Sequence, residues 1–153
     1  MLELNLPKYK YRIEQRAGKL AIFDPIRKKF IVLTPEEWVR QHFINFLNNH
    51  LNYPASLTSV ETGHKYNSLT KRSDIMVRNN ELNPLVLVEC KAASVPVNES
   101  TVRQLAVYNT QCNARLLIVT NGLVTYACLC KSPDGEFETL DQIPDYNSLT
   151  AML

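Results

Sequence analysis

The feature that most constrains the fold is a pair of apolar segments joined by a polar turn. The first segment reads RSDIMV at 72–77, and the second reads LVLVECKAA at 85–93. Residues 78–84 between them include three asparagines and a proline, which favour turns. The pattern predicts an antiparallel hairpin. If its turn is centred near Glu81–Leu82, the numbers of paired residues sum to about 163, and Asp74 lies opposite Glu89.

The predicted register gathers three charged groups on one face of the hairpin. Cross-strand neighbours have Cβ atoms about 5 Å apart, so the carboxylates of Asp74 and Glu89 would lie close together. Lys91 points to the same face, because side chains alternate along a strand. Ile75 would face Val88 on the other, apolar side. Two carboxylates at this separation repel each other unless a cation lies between them or one is protonated.

The carboxylate pair suits a magnesium or manganese ion, since such hard cations prefer carboxylate and carbonyl oxygens. The backbone carbonyl of Cys90 would be the third protein ligand. Such an ion activates water and stabilises charge on a phosphoryl group. Lys91 would orient or deprotonate the attacking water, or neutralise the developing charge. The alternative is a salt bridge between Lys91 and Glu89 or Asp74 with a purely structural role.

Segments between Phe23 and Cys130 resemble a known family. They are FDPIRKKFIVLTPEEWVRQHF at 23–43, KRSDIMV at 71–77, LVLVECKA at 85–92, QLAVY at 104–108 and LLIVTNG at 116–122. Their spacing and context resemble the PD-(D/E)XK nuclease superfamily. More closely, they resemble the N-terminal nuclease domain of type I restriction endonuclease motor subunits, in the short stand-alone form found in Bacteroides-like bacteria.

The resemblance implies a fold, an activity and a set of site residues. The fold would be α/β (α+β) with a mixed sheet and a restriction-endonuclease-like αβββαβ core, and the activity would be Mg²⁺- or Mn²⁺-dependent cleavage of DNA. Asp74, Glu89 and Lys91 would form the catalytic triad. Gln104 and Tyr108 match the QxxxY motif of this nuclease branch.

Gln104 and Tyr108 are four residues apart, so on a helix they project from one face. We expect this helix to be capped by Ser100 or Thr101. Gln104 would steady the site and Tyr108 would contact DNA. The alternative is that Gln104 is a surface residue and Tyr108 packs partly into the core.

Two further acids are candidates for the metal site. Thr34-Pro35 predicts a helix start, and Glu37 lies three residues after the threonine. Glu37 would therefore close a capping box with Thr34; the alternative, implied by the resemblance, is an accessory carboxylate of the metal site that orients a metal-bound water. Glu61 follows a strand predicted at 57–60 and would approach Asp74 from the neighbouring strand.

The charge distribution suggests where DNA would bind. The net charge is only +2, but residues 8–30 contain eight lysines or arginines against two acids. A basic N-terminal β-meander would follow phosphates, whereas the alternative is an ordinary solvated surface. The candidate DNA contacts are Lys28 and Lys29 in the meander and, nearer the site, His64, Lys65, Lys71, Arg72, Arg103 and Tyr108.

The length and composition predict one domain. A chain of 153 residues that is 45% hydrophobic suits one compact unit, with a meander at 1–33, a catalytic core at 34–131 and a loop-like tail at 132–153. No apolar run approaches the roughly 20 residues that span a bilayer, and the start lacks a secretory pattern, so we expect a cytoplasmic protein without membrane contact. The four cysteines form no CxxC pair, which favours free thiols over zinc.

The sequence lacks the GxxxxGK[ST] phosphate loop of ATP-driven motors. We therefore expect any translocation or target choice to come from a separate motor or specificity protein, or to be absent. The expected partner is DNA and the expected reaction is phosphodiester hydrolysis. The alternative is a nuclease-like fold that serves as a non-catalytic DNA-binding or assembly module.

Overall fold

The computed structural model describes residues 1–66, 69–132 and 135–153, and at 62–66, 69–73 and 111–112 it describes the backbone alone. Its helices are α1 (Pro35–Asn45), α2 (Glu99–Cys112) and α3 (Tyr146–Met152). A π-helical turn at Phe46–His50 extends α1, and a 3₁₀ turn lies at Ala55–Leu57. The strands are β1 (Ile13–Arg16), β2 (Lys19–Asp24), β3 (Lys29–Val32), β4 (Thr58–Tyr66), β5 (Leu69–Arg78), β6 (Pro84–Cys90), β7 (Leu116–Thr120), β8 (Thr125–Cys130) and β9 (Phe137–Leu140).

The strands form two sheets within the described ranges. The first is the meander β1-β2-β3, and the second has the order β4-β5-β6-β7-β8-β9. Strands β6 and β7 are parallel, while the other neighbours in both sheets are antiparallel. A parallel pair needs a long crossover connection, and α2 supplies it. The run α1, β4, β5, β6, α2, β7 is the expected αβββαβ core, preceded by the expected meander.

The central hairpin has the predicted register. Ile75 pairs with Val88 and Val77 pairs with Val86, and both pairs sum to 163. The turn is closed by Asn79, whose Oδ1 accepts hydrogen bonds from the backbone N–H groups of Glu81 and Asn83. The register of this hairpin could therefore be predicted from local turn chemistry and apolar patterning alone.

Helices α1 and α2 cover opposite faces of the large sheet. Val39 and Phe43 of α1 are fully buried in one core cluster with Ile75 and Val88. The second cluster contains residues of α2 and of the opposite sheet face: Met76, Leu87, Leu105, Tyr108, Leu117 and Val119. Strands buried on both faces are apolar nearly throughout, which explains why LVLV and LLIV show no alternation.

Local chemistry sets the helix starts, with two corrections. Thr34 Oγ1 accepts from the Glu37 N–H at 3.0 Å, as expected for a cap. The predicted capping box was wrong: its second bond would run from the Thr34 backbone N–H to the Glu37 carboxylate, but that carboxylate accepts from Arg27, Arg40 and Gln41 instead.

The cap of α2 was also misplaced. Asn98 caps this helix, and Thr101 lies three residues on as its capping-box partner, so capping by Ser100 or Thr101 was wrong. Asn98 is the better cap because its extended backbone lets Oδ1 accept from the Thr101 N–H.

The expected loop-like tail is wrong for part of its length. Strand β9 pairs with β8, and Asp145 caps α3, whose Leu149 is fully buried. Among the described residues Cys90, Cys128 and Cys130 are free thiols, as expected, while the Cys112 side chain lies outside them. In the part of the chain described, no helix is both long enough and apolar enough to cross a membrane.

Candidate active site

Asp74 lies in β5 directly before the paired part of the hairpin, and both of its oxygens are engaged. Oδ2 accepts a hydrogen bond from the backbone N–H of Cys90 at 2.7 Å. Oδ1 accepts from Nη2 of Arg40, also at 2.7 Å. The side chain is 15% exposed, so the carboxylate is held at the end of β6 against α1 but remains reachable.

Glu89 and Lys91 lie at the end of β6 and form an ion pair. Lys91 Nζ is 3.2 Å from Glu89 Oε1, and the two side chains are 35% and 22% exposed. The backbone N–H of Lys91 donates to the carbonyl of Thr120 at 2.8 Å, which fixes the chain where β6 ends. Continuing the 163 register one position beyond Ile75 and Val88 sets Asp74 opposite Glu89. The salt bridge expected as the alternative is present, and it joins two of the predicted site residues.

Arg40 is the central cation of the site and was missed in the sequence. Its guanidinium is 3% exposed. Nη1 donates to Glu37, Nη2 lies 3.0 Å from Glu36 and 2.7 Å from Asp74, and Nη1 is 3.7 Å from Glu61. Burial alone would lower the pKa of Arg40, but Glu37 and Asp74 outweigh burial and raise it. The available signal was its spacing of three and four residues from Glu37 and Glu36 on one helix.

Arg27 links the meander to the same acids. Its Nε donates to Asp24 at 2.6 Å and its Nη2 donates to Glu37 at 2.8 Å, while Nη1 lies 3.4 Å from Glu61. Gln41 Nε2 donates to Asp24 and Glu37, each at 2.9 Å. In the sequence, Arg27 is one of the eight basic residues of the meander that was expected to follow phosphates or to lie on a solvated surface. The structure instead places it 15% exposed inside a network of acids.

We call these acids the carboxylate cluster: Asp24, Glu36, Glu37, Glu61 and Asp74. Among the described residues, the cations within 4 Å of the cluster are Arg27 and Arg40. Five acids and two cations give a formal charge of −3 when all are ionised, and the Glu89–Lys91 pair adds nothing. Charges at contact distance in a partly buried site interact strongly, so this excess favours a further cation.

Glu61 adopts an unusual backbone conformation opposite Asp74. Its φ is +53°, in the left-handed region that non-glycine residues rarely adopt. The ladder between β4 and β5 runs through Val60–Ile75 and resumes at Thr62–Ser73, on either side of this position. Such strain costs about 1–3 kcal/mol and clusters at functional sites. It sets the Glu61 carboxylate, 38% exposed, within reach of both Arg27 and Arg40.

The donor set fits a hard divalent ion. Asp74 and Glu89 would supply carboxylate oxygens, and the Cys90 carbonyl would supply a third ligand. Among the described residues, no three His, Cys, Asp or Glu side chains are grouped to hold a metal. Magnesium is commonly bound by one or two carboxylates and retains several waters, so a site with two side-chain ligands agrees with its chemistry.

The two residues of the QxxxY pattern have different environments. Gln104 is exposed on α2. Tyr108 is 3% exposed and packs in the core cluster with Leu105, so direct contact of Tyr108 with DNA was wrong and the packing alternative holds. The reason is the helix face, since Tyr108 follows Leu105 by three residues and both lie toward the sheet. A site role for Gln104 stays a prediction.

The expected DNA contacts are partly described. Lys28 and Lys29 are exposed at the turn between β2 and β3, and Arg103 is exposed beside Glu99 at 3.4 Å. The remaining candidates lie on β4 and β5, where their side chains are outside the described residues: His64, Lys65, Lys71 and Arg72.

Comparison with models of protein families assigns the chain to a family. The model of the family described as type I restriction enzyme R protein N terminus (HSDR_N) matches residues 35–144, more than half of the chain. The chain belongs to this family. The membership confirms the resemblance to type I restriction R subunits. The matched range begins at the first residue of α1 and contains Arg40, Asp74, Glu89 and Lys91.

A solved structure has a similar fold. It is a fragment assigned as an HsdR subunit of a type I restriction enzyme from Vibrio vulnificus YJ016, with a TM-score of 0.56 and 17% sequence identity. The match covers 78% of this R protein N-terminal domain and 25% of that chain, so this chain spans about a quarter of the relative's length. It confirms the mixed α+β fold. A search of curated proteins found no match.

Proposed function

We propose that this domain is a metal-dependent DNA endonuclease of the PD-(D/E)XK type, which hydrolyses phosphodiester bonds with Mg²⁺ or Mn²⁺. The observation that carries the proposal is the hairpin register through Ile75–Val88, which continued by one position would put Asp74 opposite Glu89, together with Lys91 at 3.2 Å from Glu89. Family membership supports it, because the match includes all three residues.

The chain's own residues would have distinct roles in this reaction. When bound, the metal ion would stabilise negative charge on the phosphoryl group and activate water. Asp74 is fixed by the Cys90 N–H and Arg40, so its carboxylate is oriented before any ligand arrives. Lys91 keeps an ammonium group beside Glu89, where it would orient the attacking water and offset charge on the scissile phosphate.

The other acids of the carboxylate cluster would support Asp74 and Glu89. Glu37 is 3% exposed and its carboxylate accepts from Arg27, Arg40 and Gln41, so we assign it a positioning role rather than direct ligation. Glu61 is more exposed and is the better accessory ligand. Gln104 would steady the site from α2.

DNA would approach along the meander and β4–β5, which carry the basic candidates. We propose that the domain acts in the cytoplasm and that motor or specificity units outside this domain supply translocation or target choice. The Vibrio vulnificus relative is about four times as long as its matched part, which is compatible with such functions in regions outside a domain of this kind.

The test is a plasmid-nicking assay with Mn²⁺. Wild-type protein should nick DNA, and Lys91→Ala should remove the activity while leaving the melting temperature nearly unchanged, because Lys91 is 35% exposed and its pair contributes little to stability. Lys131→Ala is the matched control, since it also removes one lysine–glutamate ion pair at the surface, at a residue outside the site and the expected DNA contacts. Equal rates for wild type and Lys91→Ala above the metal-free background would instead support the non-catalytic DNA-binding module.

A further inference from the structure

Arg40 lies at the centre of the carboxylate cluster. Among the described residues, its guanidinium is within 4 Å of carboxylates from Glu36, Glu37, Glu61 and Asp74. These acids come from α1, β4 and β5, so the guanidinium joins the helix to two neighbouring strands of the large sheet. One side chain thereby does what a bound cation does elsewhere, which is to hold carboxylates of separate elements together.

Stability alone does not account for this arrangement. A buried ion pair is often no more stabilising than apolar residues of similar volume, because both charges lose their hydration. Arg40 Nε is buried and has no hydrogen-bond partner among the described residues, which adds a further cost. A structural salt bridge would need one acid, whereas the cluster keeps more negative charge than Arg27 and Arg40 neutralise. Removing the guanidinium would leave these acids without their shared cation, and a divalent ion would then draw the repelling carboxylates together.

We propose that Arg40 is a positioning residue that takes the place of a second divalent ion. Its guanidinium fills the inner part of the carboxylate cluster and holds Asp74 Oδ1, so Asp74 and Glu89 would hold a single ion. The ion at Asp74 and Glu89, called the outer ion, rests on the proposed function. The role of Arg40 rests on the contacts within the carboxylate cluster.

Two properties make Arg40 an effective substitute for an ion. It is covalently attached, so it occupies the cluster at any metal concentration, and an arginine in this setting stays protonated. A carboxylate oxygen has two lone pairs, so Asp74 keeps coordination capacity for the outer ion while it accepts from Arg40 and Cys90. An ion could enter the inner cluster only by displacing the guanidinium from all of its acids at once.

The experiment compares Arg40→Gln and Arg40→Lys with wild type by calorimetric titration with Mn²⁺ and by melting in EDTA and in Mn²⁺. Arg16→Gln is the control, because Arg16 forms an exposed pair with Glu14 on β1. We expect wild type, Arg40→Lys and the control to bind one ion. Arg40→Gln should bind one ion more than wild type, melt at a lower temperature in EDTA and recover more in Mn²⁺ than wild type does.

The inference is overturned if Arg40→Gln binds as many ions as wild type with equal affinity and gains no extra melting temperature from Mn²⁺. If Arg40→Gln fails to fold in EDTA, Arg40→Gln/Glu37→Gln removes one acid together with the guanidinium and should fold without binding the extra ion. An Arg40→Gln chain that stays unfolded at saturating Mn²⁺, while this double variant folds, also overturns it. If wild type binds no ion and Arg40→Gln binds one, the proposed metal site is wrong, while the role of Arg40 is supported.

Discussion

Asp24→Asn directly tests the charge network that joins the meander to α1. Asp24 is fully buried. Its Oδ1 accepts from the backbone N–H groups of Ile26 and Arg27 at 2.7 and 2.9 Å. Its Oδ2 accepts from Arg27 Nε at 2.6 Å and Gln41 Nε2 at 2.9 Å. An asparagine has one oxygen, so its NH₂ group would face one of these donor pairs, and two hydrogen bonds would be lost.

The structure sets the size of the expected loss. Hydrogen bonds to a charged group contribute about 1.5–3 kcal/mol each, and removing one partner of a buried ion pair costs about 3–5 kcal/mol. Arg27 keeps Glu37 at 2.8 Å, so its charge is not left unpaired. We therefore expect Asp24→Asn to lower the free energy of unfolding by about 3 kcal/mol at neutral pH, at the lower end of that range.

The loss should depend on pH. Burial tends to raise the pKa of Asp24, but hydrogen bonds from the Arg27 backbone, the Arg27 guanidinium and Gln41 outweigh burial and hold the pKa below its ordinary value. The Asp24 contribution to stability is therefore present above the pKa of the unfolded state and is lost as pH falls through the lower folded-state pKa. Asparagine does not titrate, so the stability difference between wild type and variant should shrink as the solution is acidified from neutral pH to about pH 3.

Urea unfolding followed by the fluorescence of Trp38, the single tryptophan, measures both quantities. Asp141→Asn is the matched control because Asp141 is exposed, and this variant should change stability by less than about 0.5 kcal/mol. The reasoning is refuted if Asp24→Asn costs less than about 1 kcal/mol at neutral pH, or if its cost stays constant in acid.

Three further outcomes are expected. Mn²⁺ at about 100 times its Kd should stabilise wild type by about 2.7 kcal/mol in thermal melts, and Asp74→Asn should lose most of this gain; an equal gain would locate the ion elsewhere. The double variant Lys28→Glu/Lys29→Glu should weaken DNA binding. In binding titrations it should reduce the steepness of log affinity against log salt by about 2 or more. An unchanged slope would show that the meander is not part of the DNA-binding surface. Asn98→Ala should cost about 1 kcal/mol in urea unfolding, because it removes the cap of α2, whereas Asn80→Ala, at an exposed turn position, should cost less.

The parts of the fold that the sequence predicts are those set by local chemistry. The polar turn around Asn79 and the apolar runs on either side give the register of the β5–β6 hairpin, and with it the opposition of Asp74 and Glu89. Thr34 and Pro35 give the start of α1 for the same reason. In each case the interacting groups lie within one helix start or one hairpin.

The parts that the sequence did not predict depend on distant segments. In the sequence, nothing distinguishes Arg27 and Arg40 from solvated cations. Only the packing of the meander, α1 and β4–β5 brings both into one cluster. Strand β9 was missed because it is exposed along most of its length and so has no apolar alternation. Glu61 gives no sequence signal for its left-handed backbone, since that conformation follows from the strand geometry opposite Asp74.

The buried ion pairs also indicate whether the meander and the core unfold as one unit. A boundary at residue 33 would separate the meander from the catalytic core, yet Arg27 on the meander side pairs with Glu37 on the core side at 2.8 Å. Glu37 contacts Arg40, and Arg40 holds Asp74 at 2.7 Å. Separating the meander from α1 would break the buried Arg27–Glu37 ion pair and the hydrogen bond from Gln41 to Asp24, at a cost of several kcal/mol. We therefore expect the meander and the core to unfold together, and a change at the meander to reach the Asp74 carboxylate through consecutive ion pairs.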